Sequence, residues 1–262
     1  MKFLAAADTD IGIRKSANQD SMTLKIADTD NGHIVLAIIC DGMGGLSKGE
    51  LASAVVIRAF SDWFENRFAE IYKNKTAISD ELIKSEWLII INNENERLRQ
   101  YGIENNVKLG TTITAFMAWD NHYIVMNIGD TRAYKITDSL LQITNDQTFV
   151  AREVALGRMT PDEALVSPQR NILLQCVGVT ASISPDFFTG SFEKDTCFMI
   201  CSDGFRHLIS PHEILNEFKP GSIADQNDMK RKIRSLIELN KIRMEADNIT
   251  ALLLKSVCEE EA

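Results

Sequence analysis

His33-Ile34-Val35-Leu36-Ala37-Ile38-Ile39-Cys40-Asp41-Gly42-Met43-Gly44-Gly45 is an apolar run that stops on an aspartate and a glycine-rich turn. A run this short, with Asn31-Gly32 before it and Asp41-Gly42 after it, reads as a strand buried on both faces. Lys2–Ala7 and Ser21–Ala27 read as its strand neighbours. Downstream, Ala52, Val55, Val56, Ala59, Phe60, Trp63, Phe64, Phe68 and Ile71 recur at three and four, predicting a long helix over Lys48–Ile71 with one buried stripe. Ile83, Trp87, Ile90, Ile91 and Leu98 predict a second helix over Ser79–Tyr101. Strands are expected at Thr111–Ala118, His122–Ile128, Ala133–Ile136, Leu140–Thr144, Ile172–Val177, Asp186–Phe192, Thr196–Cys201 and Asn248–Val257. Between them come a short helix ending at Gly157, helix starts capped at Thr160 and Ser210 with Pro next and Glu three residues on, and a charged helix over Asp228–Glu245. Adjacent helices and consecutive strands argue against a regular βαβ sheet. They predict an α+β fold of antiparallel sheets covered by helices.

The chain has 262 residues, 45% of them apolar, enough for one large core. A net charge of −9 disfavours broad nucleic-acid binding, which needs a basic face. No apolar run approaches the ~20 residues of a membrane helix. Asp8 and Asp10 come too early for a signal peptide. The five cysteines, Cys40, Cys176, Cys197, Cys201 and Cys258, form no Cys-x-x-Cys pair and sit mostly in apolar runs, as in a reduced cytoplasmic protein.

Four aspartates stand where apolar strands begin or end. Asp41 follows His33–Cys40, Asp130 follows the strand ending at Ile128, Asp203 follows Thr196–Cys201, and Asp247 precedes the last strand. Asp-Gly alone is most often a turn. Four such sites at strand ends point instead to carboxylates gathered in one cleft, which repel unless cations neutralise them. Oxygen donors without Cys or a His in ligand spacing suit Mg²⁺ or Mn²⁺ rather than zinc. His33, His122, His207 and His212 read as surface or core residues.

In chain order these stretches are Asn18-Gln19-Asp20-Ser21, Asp41-Gly42-Met43-Gly44-Gly45, Gly110-Thr111-Thr112, Gly129-Asp130-Thr131-Arg132, Ile143-Thr144-Asn145-Asp146, Pro168-Gln169-Arg170-Asn171, Ser202-Asp203-Gly204 and Asp247-Asn248-Ile249-Thr250. The ordered set resembles the PPM family, the type 2C protein phosphatases, in its bacterial form. The resemblance implies a four-layer α–β–β–α sandwich forming one catalytic domain over residues 1–262, with a flap at about 146–171. It implies a site for two divalent cations, Mn²⁺ or Mg²⁺, that activate water to hydrolyse phosphoserine and phosphothreonine. Carried over by position, Asp41 would bridge both ions, the Gly42 carbonyl would hold one, and Asp203 and Asp247 would complete the other. Asp20 would bond water at the site, Asn248 would support Asp247, and Asp130 and Arg132 would be structural.

The chain departs from the family at three points. Where an arginine usually clamps the substrate phosphate stands Lys15, with Arg14 one residue earlier; Arg14, able to bind in a bidentate fork, is favoured. Met43 stands where some relatives carry histidine. The Asp of a third metal site is absent from Asn105–Leu109, so that site is expected to be weak or rebuilt, with Glu104 the available carboxylate. The implied partners are phosphorylated proteins, with a serine/threonine kinase and its substrates. Nucleic acid and membrane are not expected, and the chain is expected to be a monomer in the cytoplasm. The rival reading is a catalytically silent PPM-like binding module, which would typically have lost Asp41, Asp203 or Asp247. A cysteine phosphatase is rejected because Cys201 and Arg206 are one residue too close, and Asp8-x-Asp10 lacks the threonine of an aspartyl-phosphate enzyme.

Overall fold

The structure, a computed structural model, describes residues 1–43 and 48–258. Gly44 and Gly45 of the sequence motif lie outside the described residues. In chain order the elements are β1 (Lys2–Asp10), β2 (Asp20–Thr29), β3 (Gly32–Met43), α1 (Gly49–Asp62), α2 (Ala69–Lys73), α3 (Asp80–Asn105), β4 (Gly110–Thr111), β5 (Ile113–Trp119), β6 (His122–Ile128), β7 (Arg132–Ile136) and β8 (Leu140–Gln142). They continue as α4 (Phe149–Ala155), α5 (Pro161–Val166), β9 (Asp186–Ser191), β10 (Cys197–Cys201), α6 (Asp203–Arg206), α7 (Pro211–Phe218), α8 (Gln226–Ile242) and β11 (Ile249–Val257). A π-helical turn, Trp63–Phe68, joins α1 to α2. Among the described residues, no helix is long and apolar enough to cross a membrane.

Two sheets form, in the orders β1-β11-β10-β7-β8 and β2-β3-β5-β6-β9, with β4 paired to β3. The ladders are antiparallel. The period of two in side-chain direction builds the layers. Along β3, Ile34, Leu36, Ile38 and Cys40 pack toward α1 and α3 with Phe60 and Trp87. The alternate residues Val35, Ala37 and Ile39 pack toward the second sheet, against Phe198, Leu252 and Leu254. Along β10 the same alternation sends Phe198 and Ile200 between the sheets, and Cys197, Met199 and Cys201 toward α7 and α8. A strand apolar at every position is needed because both of its faces are covered. The result is helices, sheet, sheet, helices.

Both capping boxes form, Thr160 with Glu163 and Ser210 with Glu213. One expected strand does not. Ile172–Val177 makes only two isolated bridges, Thr148 to Leu173 and Thr111 to Val177. Its backbone pairs with Gln147 and Phe149 at the start of α4 and, through Val177, with Thr111 of the two-residue β4, too little to extend a ladder. Ile172 and Leu174 stay exposed and only the end of the segment, Cys176 and Val177, is buried, so no alternating buried face holds it in a sheet register.

Candidate active site

Antiparallel register brings one end of each sheet to the same rim. In one sheet, Cys201 pairs with Ala251 and Arg132, and Asp10 with Ile249. Asp203, Asp247 and Asp130 therefore sit just beyond three neighbouring strand ends. In the other sheet, Asp20 and Asp41 are direct cross-strand partners. A small pocket of about 270 Å³ opens there, lined by Lys15, Asp41, Gly42, Asp130, Asp203 and Asp247, among others.

Backbone chemistry fixes the carboxylates. The Asp41 amide donates to Thr112 Oγ1 at 3.0 Å, and its carbonyl accepts from Thr112 N at 2.9 Å and Thr111 Oγ1 at 3.0 Å. Gly42 must lack a Cβ, because one would collide with the Gly49 and Gln19 carbonyl oxygens as α1 starts against the end of β3. Asn248 donates to the Ile11 and Ala17 carbonyls at 2.9 and 3.1 Å and accepts from Gln19 N at 2.9 Å. It thereby ties down the loop that carries Arg14 and Lys15. Its own amide donates to Asp247 Oδ1 at 2.8 Å.

The electrostatics are those of like charges held together. Asp20 is buried, takes a hydrogen bond from Thr250 Oγ1 at 2.6 Å, and leaves Oδ1 without a partner. Burial pushes its carboxyl up to about 7, against the Thr250 and Ser202 hydrogen bonds and with help from Asp203 and Asp247. Burial, then the charges of Asp20, Asp203, Asp130 and Asp247, raise Asp41 well above the carboxylate range. Asp130 is likewise pushed up to about 7 by burial and by Asp203, with Arg206 opposing. Asp203 also carries a buried, unpartnered Oδ1.

Of the site residues expected from sequence, Asp41, Gly42, Asp203, Asp247 and Lys15 line the pocket together. Asp20, the cross-strand partner of Asp41, is buried next to it and is not among the lining residues. The Lys15 ammonium lies 2.6 Å from Asp247 Oδ1. Burial lowers the Lys15 pKa, but the Asp247 bond and the Asp41 and Asp203 charges outweigh it and hold it above the usual value. Arg14 is exposed and does not line the pocket. Glu104 is exposed on α3, bonded to Gln100 at 2.8 Å, and is also absent from the pocket.

Two residues escaped the sequence reading. His207 lies 3.5 Å from both Asp203 Oδ2 and Glu245 Oε2, and Glu245 Oε1 accepts the amides of Ala246 and Asp247. They join the segments carrying Asp203 and Asp247. The only available signal was that each lies within four residues of a candidate ligand. Asp130 is among the residues that line the pocket, as its place at a strand end led one to expect. Arg132 grips Asp146 with two bonds of 2.7 Å, and Arg206 joins them, donating to the Asp130 carbonyl at 3.1 Å.

The donors fit hard divalent cations: carboxylate oxygens with a glycine carbonyl beside them, two of the carboxylates holding a buried oxygen that nothing else satisfies. As the side chains stand, no three His, Cys, Asp or Glu among the described residues form a group that could hold an ion. The carboxylates converge on the pocket, with Lys15 occupying Asp247.

A sandwich of two antiparallel sheets with oxygen donors gathered at one rim defines a class, the metal-dependent phosphatases of this fold. Residues 13–241 match the family described as protein phosphatase 2C. A Streptococcus pyogenes chain with a protein phosphatase 2C-type name is 31% identical over 96% of this chain and 97% of its own. The S. agalactiae serine/threonine phosphatase structure superimposes with a TM-score of 0.83 at 28% identity, over 97% of this chain and 99% of that one. The catalytic domain of the serine/threonine protein phosphatase PstP, solved with two manganese ions, matches with a TM-score of 0.78 at 28% identity, over 98% and 99%. The chain belongs to the protein phosphatase 2C family and is a protein serine/threonine phosphatase.

Proposed function

We propose that the chain hydrolyses phosphoserine and phosphothreonine in proteins through two divalent cations, Mn²⁺ or Mg²⁺, held at this rim. The observation that carries the reading is the convergence of Asp41, Asp203 and Asp247, with Asp20 buried next to Asp41, each raised by or contributing to mutual repulsion. The two manganese ions of the PstP structure support the same number here. Asp41, the Gly42 carbonyl, Asp203 and Asp247, which line one pocket, would hold the ions. Bound cations supply a water acidic enough to attack phosphorus near neutral pH, and they offset charge on the phosphoryl oxygens.

The chain's own residues supply the rest. Thr111, Thr112 and Asn248 hold the carboxylates and the Lys15 loop in place before substrate arrives. Asp20, with one free oxygen, accepts a proton or a hydrogen bond from water in the pocket. Lys15, already in the pocket, is the better-placed cation for the substrate phosphate, acting as a point charge; Arg14 can approach only from the rim. Residues 146–171 form the flap beside the pocket, and residues 1–262 act as one catalytic domain. The partners are phosphorylated proteins, including a serine/threonine kinase and its substrates, met by a monomer. The unpaired cysteines suit the reducing cytoplasm. Since Asp41, Asp203 and Asp247 are all present, the catalytically silent module is not favoured.

The test is phosphate release from a phosphothreonine peptide with Mn²⁺, with Mg²⁺ and with EDTA. Release that requires either metal and is lost in Asp203→Asn supports the proposal. Release undiminished in EDTA sinks it.

A further inference from the structure

Asp203 opens α6, and Asp247 stands just before β11. One buried carboxylate touches both segments. Glu245 Oε1 accepts the amides of Ala246 at 2.8 Å and Asp247 at 3.0 Å. Glu245 Oε2 lies 3.5 Å from His207 Nδ1, and His207 Nε2 lies 3.5 Å from Asp203 Oδ2. His207 keeps helical angles just after α6, so its side chain shares a face with Asp203 four residues back. Asp203 is left with Oδ1 buried and without a partner. A carboxylate held by one oxygen presents the other in a fixed direction. Groups that contact a ligating carboxylate from behind orient it around an ion and so set the ion's affinity.

The chain does not need this tie as a brace. Asn240 Nδ2 donates to the Phe205 carbonyl at 2.8 Å, and Arg243 donates to the Leu208 carbonyl and to Glu213. Those bonds already fasten α6 and the start of α7 to the end of α8, and none of them ends on a candidate ligand. The Glu245 tie does, and it is costly. Glu245 is 6% exposed, so a charge is taken out of water. Burial raises its carboxyl, but His207 and the Asp247 and Ala246 amides outweigh that and hold it below the usual range. The turn that tucks it in passes through Met244 at φ +68°, left-handed backbone that favours glycine. A buried charge and a strained turn, kept together beside two candidate ligands, point to a role in the site.

We infer that Glu245, acting through His207 and through the Asp247 amide, is a positioning residue that aims the Asp203 carboxylate and places Asp247 toward a bound divalent cation. This rests on the reading of the carboxylate pocket as the metal site. Neither Glu245 nor His207 touches the substrate in this role. Their effect is on how tightly the cation is held, and through that on the rate.

The experiment titrates Mn²⁺ calorimetrically into wild type, Glu245→Ala, Glu245→Gln, His207→Ala and a control, Arg243→Ala, whose arginine braces the same segments without touching a ligand. Glu245→Ala and His207→Ala are expected to weaken Mn²⁺ binding by about ten- to a hundredfold. Glu245→Gln keeps the side chain's shape and an oxygen for the two amides, and should recover part of the loss. With a phosphothreonine peptide, the Mn²⁺ concentration giving half-maximal rate should rise by the same factor, while KM for the peptide at saturating Mn²⁺ stays near wild type. Arg243→Ala should bind Mn²⁺ as wild type does. Mn²⁺ bound as tightly by Glu245→Ala as by wild type overturns the inference. An equal loss in Arg243→Ala also overturns it, because the tie would then be a brace only. If Glu245→Ala does not fold, His207→Ala decides: a loss of about tenfold or more supports the inference, and wild-type affinity overturns it. Wild type that binds no Mn²⁺ would remove the metal site itself and the inference with it, whereas equal binding by wild type and the variants strikes the inference alone.

Discussion

Two clusters of aspartate lie near the same end of the sandwich and are treated oppositely by the fold. Asp8 and Asp10, at the end of β1, are answered by the protein itself. Arg234 of α8 takes Asp8 with two bonds and Asp10 at 2.9 Å, and Lys241 reaches Asp10 at 3.3 Å. Burial raises the Asp10 carboxyl, but the Gly12 amide, Lys241 and Arg234 outweigh it and hold it below the usual value. Asp20 and Asp41 are pushed the other way with Lys15 engaging only Asp247 directly, and so is Asp130 even with Arg206 at 3.9 Å. Carboxylates paired by arginine fasten a helix to a sheet. Carboxylates buried together without such a partner cost folding energy, and the fold retains them where a cation from solution can neutralise them.

The largest expected contrast is catalytic. Asp41→Asn should lower kcat/KM for a phosphothreonine peptide by about a thousandfold or more, while Asp8→Asn changes it little. Comparable losses in both variants, from steady-state kinetics, would erase the distinction between the clusters.

The next contrast is in pH dependence. Asp20 and Asp130 titrate at about 7 in the folded protein against 3.8 ordinarily, so the folded chain keeps protons that the unfolded chain has released. Their contribution is most favourable below about pH 4, and it is lost as pH rises through about 7. In EDTA, the urea midpoint should fall across that window by an amount worth on the order of a few kcal/mol. Saturating Mn²⁺ should remove most of the decline, because bound cations replace the protons. The Asp10 carboxyl shifts the opposite way, gaining stability as pH rises through the acid range, by much less because it is more exposed. A midpoint rising between pH 4 and 7 in EDTA would contradict the assignment.

A smaller effect separates the two candidate phosphate cations. Lys15→Ala is expected to raise KM for phosphopeptide by several-fold to about tenfold, and Arg14→Ala by less, because only Lys15 lines the pocket. The reverse order would return the clamp to Arg14. The smallest effect is on stability. Asp8→Asn should cost about 1 kcal/mol, since Arg234 is partly exposed and its pairs are screened. Urea denaturation measures it.

The layers were legible because each leaves a period in the sequence. The unbroken apolar run Ile34–Cys40 required two covered faces, and the spacing from Ala52 to Ile71 required one. The aspartates were legible because strand ends position them and chain order ties them to a known pattern. Ile172–Val177 misled because apolar composition does not reveal that its partners are a two-residue strand and the start of a helix rather than a full strand edge. That Lys15 rather than Arg14 lines the pocket was not legible, because Asn248 and Gly12 set the turn of that loop through contacts some 230 residues apart. His207 with Glu245 was hidden for the same reason, since their meeting depends on α6 and the start of β11 lying side by side.

Calorimetric titration with Mn²⁺ at pH 7, on wild type, Asp41→Asn and Asp8→Asn, tests the central claim most directly. The account predicts two ions bound to wild type and to Asp8→Asn, with binding lost or greatly weakened in Asp41→Asn. Two ions bound as tightly by Asp41→Asn as by wild type would show that the unpaired carboxylates at this rim are not the metal site.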